Sequence, residues 1–378
     1  MARRILVSGA GIAGSALACR LGRAGFHVTV IERAPALRRG GQAVDFRGPV
    51  HMRVLREMGL LEALGERRTH NGALQFVDAA GRVVFTLPPS FASGDLEIER
   101  GDLVDVLYQR SRDHAEHVFG DSVASIAQDE GGVDVTFERG SPRRFDLVVG
   151  ADGLHSRVRA LAFGEERRYV RHLGYSVAVF RAPNFLGLER SGLAYSEPGS
   201  AVVVSSSRSV DEAVIMLVLT TSNEPLRARF ASMGWEMPRL LPYLDGASDL
   251  YTDTISRVDV DGLSRSRVVL LGDAGYGATI GGQGTGVAVV AAYVLASELA
   301  RDANHTRAFA RYEATIAGYA RGCQANAHRM GPFFAPRSRT AIALRNVIYR
   351  ALTSRPLVSV LERMTTSAAS DFVLPTYA

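Results

Sequence analysis

Lysine is missing from the chain, so all 44 basic residues are arginine. Codon bias is the plain explanation, but the chemical consequence holds regardless. No Schiff base, no internal pyridoxal-phosphate aldimine and no P-loop lysine can form. Cysteine is nearly as scarce. Cys19 and Cys323 alone cannot staple a fold of 378 residues or build a four-cysteine zinc site; both read as packing residues. Dense basic blocks are lacking, and 44 basic against 39 acidic residues leave a net charge of +5. That is too slight over this length to point to nucleic acid. The nine histidines show no HExxH or other metal-ligand spacing. Hydrophobic residues at 47% and charged residues at 22% exclude wholesale disorder.

Long apolar runs are also few. Arg3 and Arg4 precede the run Ile5 to Ala18, which has the outline of a secretory signal. Its glycines, however, fall at 9, 11 and 14, where a buried strand would turn into a helix. Tyr276 to Ser297 is 22 residues without a formal charge, long enough to cross a bilayer. Its first half is glycine-rich, and the apolar remainder, Val287 to Leu299, suits a buried helix. A cytoplasmic protein with no membrane span is expected.

Residues 5–7, a helix over about 12–24 and a strand over 27–32 form a β-α-β unit. Val50 to Ala63 predicts a helix with Val54, Leu55, Met58 and Leu61 on one face. Ala73 to Leu87 alternates as strand material, Leu103 to Ala115 is helical, and Ser122 to Glu138 suggests two short strands. Asp146 to Ala151 and Val268 to Gly272 are apolar runs typical of parallel strands covered on both faces. Between them, 174–181, 201–206 and 213–220 suit an antiparallel sheet. Arg339 to Met364 predicts one or two helices broken at Pro356.

Three motifs carry chemistry. Gly9-Ala10-Gly11-Ile12-Ala13-Gly14 follows a strand and opens a helix. The first glycine permits the turn, the second lets backbone approach a pyrophosphate, and the third lets helix and strand pack closely. Glu32, with Arg33 after it, ends the next strand, where a carboxylate can accept from ribose hydroxyls. The second motif runs from Val148 through Asp152-Gly153 to Ser156 and Arg159. The third is Gly272-Asp273-Ala274, followed by Gly281-Gly282-Gln283-Gly284 before a helix, whose N–H groups can face a phosphate or an electron-rich ring edge.

Together these motifs resemble the class A FAD-dependent monooxygenases of the para-hydroxybenzoate hydroxylase fold. In length and in Gly40-Gly41-Gln42-Ala43-Val44-Asp45 the chain is similar to the subgroup of tetracycline-inactivating monooxygenases. The resemblance implies an α/β fold: a Rossmann-like FAD-binding domain assembled from 1–70, 95–165 and 256–335. A β-rich substrate domain from 71–94 and 166–255 would be inserted, and 336–378 would form a C-terminal helical segment. Gly9, Gly11, Ile12, Ala13, Gly14, Glu32, Arg33, Asp45, Arg100, Val123, Asp152, Asp273 and Gly284 are the cofactor-binding candidates. Where the family usually reads GDAAH, the chain has Gly272-Asp273-Ala274-Gly275-Tyr276. Ile280 replaces a proline, Gly286 an asparagine and Ala291 an aspartate. The lone Trp235 and the missing lysine separate the chain from flavin-dependent halogenases.

The implied reaction is hydroxylation of an aromatic or polycyclic small molecule, such as a natural product or antibiotic. It would consume O2 and NADPH or NADH and pass through a flavin C4a-hydroperoxide, so the cofactor carries the oxygen chemistry. Val177, Val179, Val202, Val204, Ile215 and Leu217 are expected as apolar walls over the ring. Arg47, His172, Tyr175 and Arg181 are the polar pocket candidates. The Gly272–Gly286 loop is expected to move on substrate binding. Two alternatives remain at this level: a flavin-dependent reductase of an unsaturated substrate, and a non-redox cyclase retaining FAD structurally.

Overall fold

The computed structural model describes residues 2–377, except 38–42, 70–71, 90–93, 207–208, 279–283, 355–356 and 358–371. A six-stranded sheet has the order Ser264–Arg265, Val268–Leu270, Leu147–Gly150, Arg4–Ser8, His27–Glu32, Ala115–Phe119. All of its pairings are parallel except the first. Alternation along Arg4–Ser8 explains its two faces. Ile5 and Val7 pack with helices Ile12–Arg23, Gly284–Arg301 and His305–Phe334. Leu6 turns the other way, toward the small antiparallel sheet of Val123–Gln128, Val133–Phe137 and Arg143–Phe145. Burial on both sides is why these strands read as unbroken apolar runs.

A seven-stranded sheet has the order Tyr251–Val258, Val170–Pro183, Glu212–Thr220, Ser200–Ser206, Ser191–Glu197, Leu74–Val77, Val83–Leu87. A two-stranded ribbon of Ala43–Phe46 and Leu96–Glu99 lies apart from it. Helix Gly284–Arg301 has the length and hydropathy of a membrane span, yet 78% of that window is buried inside the fold.

Several expectations need correction. The expected helix over Val50 to Ala63 is two helices, Gly48–Glu57 and Leu61–Gly65. Gly59, at φ +70°, breaks it in a conformation that side-chain-bearing residues avoid. The expected helix ending at Ala115 stops at Ser111, and Ala115–Phe119 is instead the sixth strand of the parallel sheet. Strand Tyr251–Val258 runs through the expected domain boundary at 255/256.

The long helix His305–Phe334 links the two large sheets. Near its start the Tyr312 hydroxyl donates to the Leu270 carbonyl at 3.0 Å. Near its end Gly331 lies against the Tyr175 ring, so close that a Cβ would sit 2.4 Å from it. The buried Arg345 guanidinium donates to the carbonyls of Phe333 and Phe334 at 2.8 and 3.3 Å and lies 4.7 Å from the Phe76 ring centroid. It thereby satisfies carbonyls that the helix end leaves unpaired. Burial pushes its pKa down to about 10.

Candidate functional site: three loops at the strand ends

The glycine turn after Arg4–Ser8 is built as its spacing requires. Gly9 has φ +105°, and a Cβ there would lie 2.4 Å from the Ala151 carbonyl oxygen. A Cβ on Gly14 would lie 1.9 Å from the Gly9 oxygen. Gly11 differs: a Cβ there meets nothing within 4 Å. The first and third glycines are therefore needed by the fold, and the second faces open space. Helix Ile12–Arg23 starts at Gly11 with no side-chain cap and no acid in its first turn. Its N–H groups and positive dipole end remain available to an anion.

Glu32 does more than its position at the strand end suggested. Its carboxylate accepts from Ala10 N and Ala34 N, both at 2.9 Å, and so pins the glycine turn. Each carboxylate oxygen keeps a further lone pair for a ribose hydroxyl. Arg33 beside it is exposed.

The second motif acts mainly on the protein itself. Asp152 accepts from Ser156 Oγ at 2.5 Å and from Val158 N at 3.0 Å. Ser156 caps helix Arg157–Ala162 by accepting from Arg159 N at 3.0 Å. Arg159 is fully buried and donates to the carbonyls of Leu154 and Ala274 at 2.7 and 2.9 Å. The motif thus fixes the residue next to Asp273. Val123 is buried in the apolar cluster behind the parallel sheet, so its side chain cannot reach a cofactor on the loop side. Only its backbone could, and its carbonyl accepts from Arg157 Nε at 3.4 Å.

Asp273 is solvent-exposed and lines a small cavity with Tyr276, Gly284, Val287 and Gln324 among the other residues. Surrounding protein raises its carboxyl above the usual range. The Arg100 charge opposes that shift and Asp253 adds to it. Asp253 was not anticipated. It accepts from Tyr251 Oη at 2.7 Å and lies 3.5 Å from His155 Nε2. A separate polar groove of about 620 Å³ opens at the opposite ends of the parallel strands. It lies away from all three motifs, and its Arg143 is paired with Glu116 at 2.7 Å.

The wall residues divide between two faces. Register pairs Val177 with Val218 and Val179 with Met216. Val202, Val204, Ile215 and Leu217 point the other way, into a core with Phe230, Met237 and Leu240 of helices Leu226–Ala231 and Met237–Asp245. These four are not ring-side walls. Both faces are apolar, so alternation alone could not choose between them. The face of Val177 and Val179 also carries Arg181, which bonds Glu99 at 3.4 Å and Glu212 at 3.3 Å. Glu99 precedes Arg100, so this face looks toward the cofactor-motif side. Tyr175 is buried against Gly331. His172 is exposed, with Nδ1 2.9 Å from Ser256 Oγ.

Asp45 and Arg47 form a buried ion pair. Burial raises the Asp45 carboxyl and the arginine opposes the shift. Next to them lies His51, a residue the motifs did not mark. Its spacing to Val54, Leu55 and Met58 is the helical one and could have flagged it as inward-facing. Tyr276, the departure from the family's histidine, is buried among apolar residues with its hydroxyl 3.2 Å from Tyr312 Oη. Gly40, Gly41, Gln42, Ile280, Gly281, Gly282 and Gln283 lie outside the described residues, and so does the expected loop motion. The two cysteines are buried, and burial pushes the Cys323 thiol up to about 12.

The open space at Gly11, the uncapped helix start, the acceptor at Glu32 and the Asp273 carboxyl under the influence of the Arg100 charge fit the diphosphate and hydroxyl groups of FAD. Comparison with known proteins agrees. Residues 3–321 match a family described as FAD binding domain. An uncharacterised protein of Mycobacterium tuberculosis is 41% identical over 337 residues, covering 84% of this chain and 90% of its own. A flavin-dependent monooxygenase of Legionella longbeachae is 35% identical over 334 residues, covering 84% and 85%. The crystal structure of the tetracycline destructase Tet(55) is 32% identical, covers 100% of this chain and 99% of its own, and superposes with a TM-score of 0.84.

Proposed function

The chain belongs to the FAD-binding-domain family that includes flavin-dependent monooxygenases, and on that premise we propose that it spends NAD(P)H and O2 to hydroxylate a polycyclic or aromatic small molecule. The observation that carries the substrate class is the half-sealed sheet face. Val214 and Met216 stay partly exposed beside Val177, Val179 and Arg181, whereas Ile215 and Leu217 on the opposite face are fully buried. A flat apolar wall with an arginine at its edge suits a fused-ring compound bearing a phenol or enol oxygen. The likeness to a tetracycline destructase makes tetracyclines the first compounds to try.

Bound FAD would take electrons from the nicotinamide and activate O2. The chain's own residues bind and orient. The N-terminus of helix Ile12–Arg23 holds the diphosphate, with Gly11 leaving room for it. Glu32 accepts from the adenosine ribose, Asp273 from the hydroxylated chain, and Arg100 neutralises charge beside them. The helix beginning at Gly284 would offer its first-turn N–H groups to the flavin ring. Val177, Val179 and Met216 exclude water from the substrate side.

The test is anaerobic stopped-flow reduction of the FAD-loaded enzyme by NADPH and by NADH, with and without a panel of tetracyclines and polyphenols. Reduction accelerated by one panel class supports the assignment. A flavin that neither nucleotide reduces under any of these conditions refutes it.

A further inference from the structure

We propose that His51 is a positioning residue for the cofactor pocket, locking the Arg47 turn to the first turn of the helix that begins at Gly284. The proposal rests on the FAD placement given above and adds the element that holds it. His51 Nδ1 accepts from Arg47 N at 2.8 Å, so that nitrogen carries no proton. Nε2 is then the protonated nitrogen, and it donates to Tyr319 Oη at 2.5 Å. One tautomer satisfies both bonds. Tyr319 belongs to the long helix His305–Phe334 and stacks on Phe372 with ring centroids 4.6 Å apart.

The imidazole also occupies the room of a missing side chain. A Cβ on Gly286 would lie 2.1 Å from His51 Cε1 and 2.5 Å from Nε2. Gly286 stands two residues into helix Gly284–Arg301, whose first residue lines the Asp273 cavity. A single ring, 1% exposed, therefore touches the Arg47 turn, the glycine-rich helix start and the long helix. Displacing it moves Arg47 and the ring-side helix terminus together. Arg47 and Asp95 are the charged groups acting on it, with opposite signs, and burial keeps it neutral.

The experiment titrates apoprotein with FAD, following flavin fluorescence and the visible absorption band. It uses the wild type, Gly286→Ala, His51→Ala, the double variant and His51→Asn. Alanine is the better helix former by about 1 kcal/mol, so helix propensity alone cannot make Gly286→Ala harmful. Collision with the imidazole is expected to raise the Kd at least about tenfold. In the His51→Ala background the same substitution is expected to change Kd by less than about twofold, because the new methyl fills vacated room. His51→Asn, which keeps an acceptor for Arg47 N, is expected to restore the wild-type flavin band that His51→Ala shifts. Equal Kd values and spectra in all folded variants, with only the apoprotein Tm changed, would show that His51 merely fills space and would overturn the proposal. So would additive effects on Kd. Failure of the wild-type apoprotein to bind FAD would instead overturn the cofactor placement beneath it.

Discussion

Replacing Gly11 and Gly14 by alanine, one at a time, separates the needs of the fold from those of the cofactor. Gly14 has no room: its Cβ would sit 1.9 Å from a backbone oxygen that belongs to the same tight turn. Relief requires helix Ile12–Arg23 to move off the sheet, an overpacking strain of about 1–3 kcal/mol or more. Gly11 has φ −72° and nothing within 4 Å of its Cβ position. Alanine there loses about 0.5–1 kcal/mol as a helix cap and gains about 0.4–1 kcal/mol by restricting the unfolded chain, so the two nearly cancel. The open space matters only when a diphosphate lies against the backbone. Gly11→Ala should therefore leave the apoprotein Tm close to wild type and raise the FAD Kd at least about tenfold, or 1.4 kcal/mol. Gly14→Ala should lower the Tm of the apoprotein itself. Thermal unfolding of apoprotein by circular dichroism and FAD titration by fluorescence measure the two quantities. A Gly11→Ala variant that binds FAD like the wild type would refute the phosphate placement.

Acid should destabilise the protein through His51. Burial pushes this histidine down to about 4, so below 6.5 the unfolded chain takes up a proton that the folded chain refuses. Stability then falls by up to about 1.4 kcal/mol per pH unit as pH drops from 6.5 toward 4; His51→Asn should lack this component, seen as the wild type-minus-variant difference in urea midpoints across that window. Asp273→Ala should weaken FAD binding about tenfold to hundredfold through a lost charge-assisted hydrogen bond. Asp102→Ala should leave the Kd unchanged, since Asp102 faces Arg67 at 3.8 Å in a half-exposed first turn. Arg345→Met keeps the stem but strands the Phe333 carbonyl, whereas the Phe334 carbonyl keeps the Ser196 hydroxyl as a donor. The expected loss is about 2–3 kcal/mol in urea unfolding, with FAD affinity retained.

The cofactor end of the fold was legible because glycine spacing and buried parallel strands are local signals. Gly9, Gly11 and Gly14 sit in three different steric environments, each matching its place in the motif. The substrate side was harder to read. Val202, Val204, Ile215 and Leu217 alternate as well as any wall would, but the sheet is packed on both faces. Only the strand register shows which face meets the cofactor motifs. Strand Ala115–Phe119 was hidden because Ala-Glu-His-Val-Phe at a sheet edge lacks the apolar run of its inner neighbours. Asp253 and His51 act through partners 98 and 268 residues away in sequence, His155 and Tyr319, and no local pattern encodes such pairs. Asp152 is expected from the motif as a cofactor contact, and its hydrogen bonds go to Ser156 and Val158 and serve the loop that carries Asp273.

The most direct test of the proposed reaction is turnover under 18O2 with tetracyclines and polyphenols, with NAD(P)H consumption and product mass followed together. A monooxygenase places a single labelled oxygen atom in the product for each NAD(P)H oxidised, and no label comes from water. Product that forms without O2, or that carries only oxygen from water, would contradict the assignment.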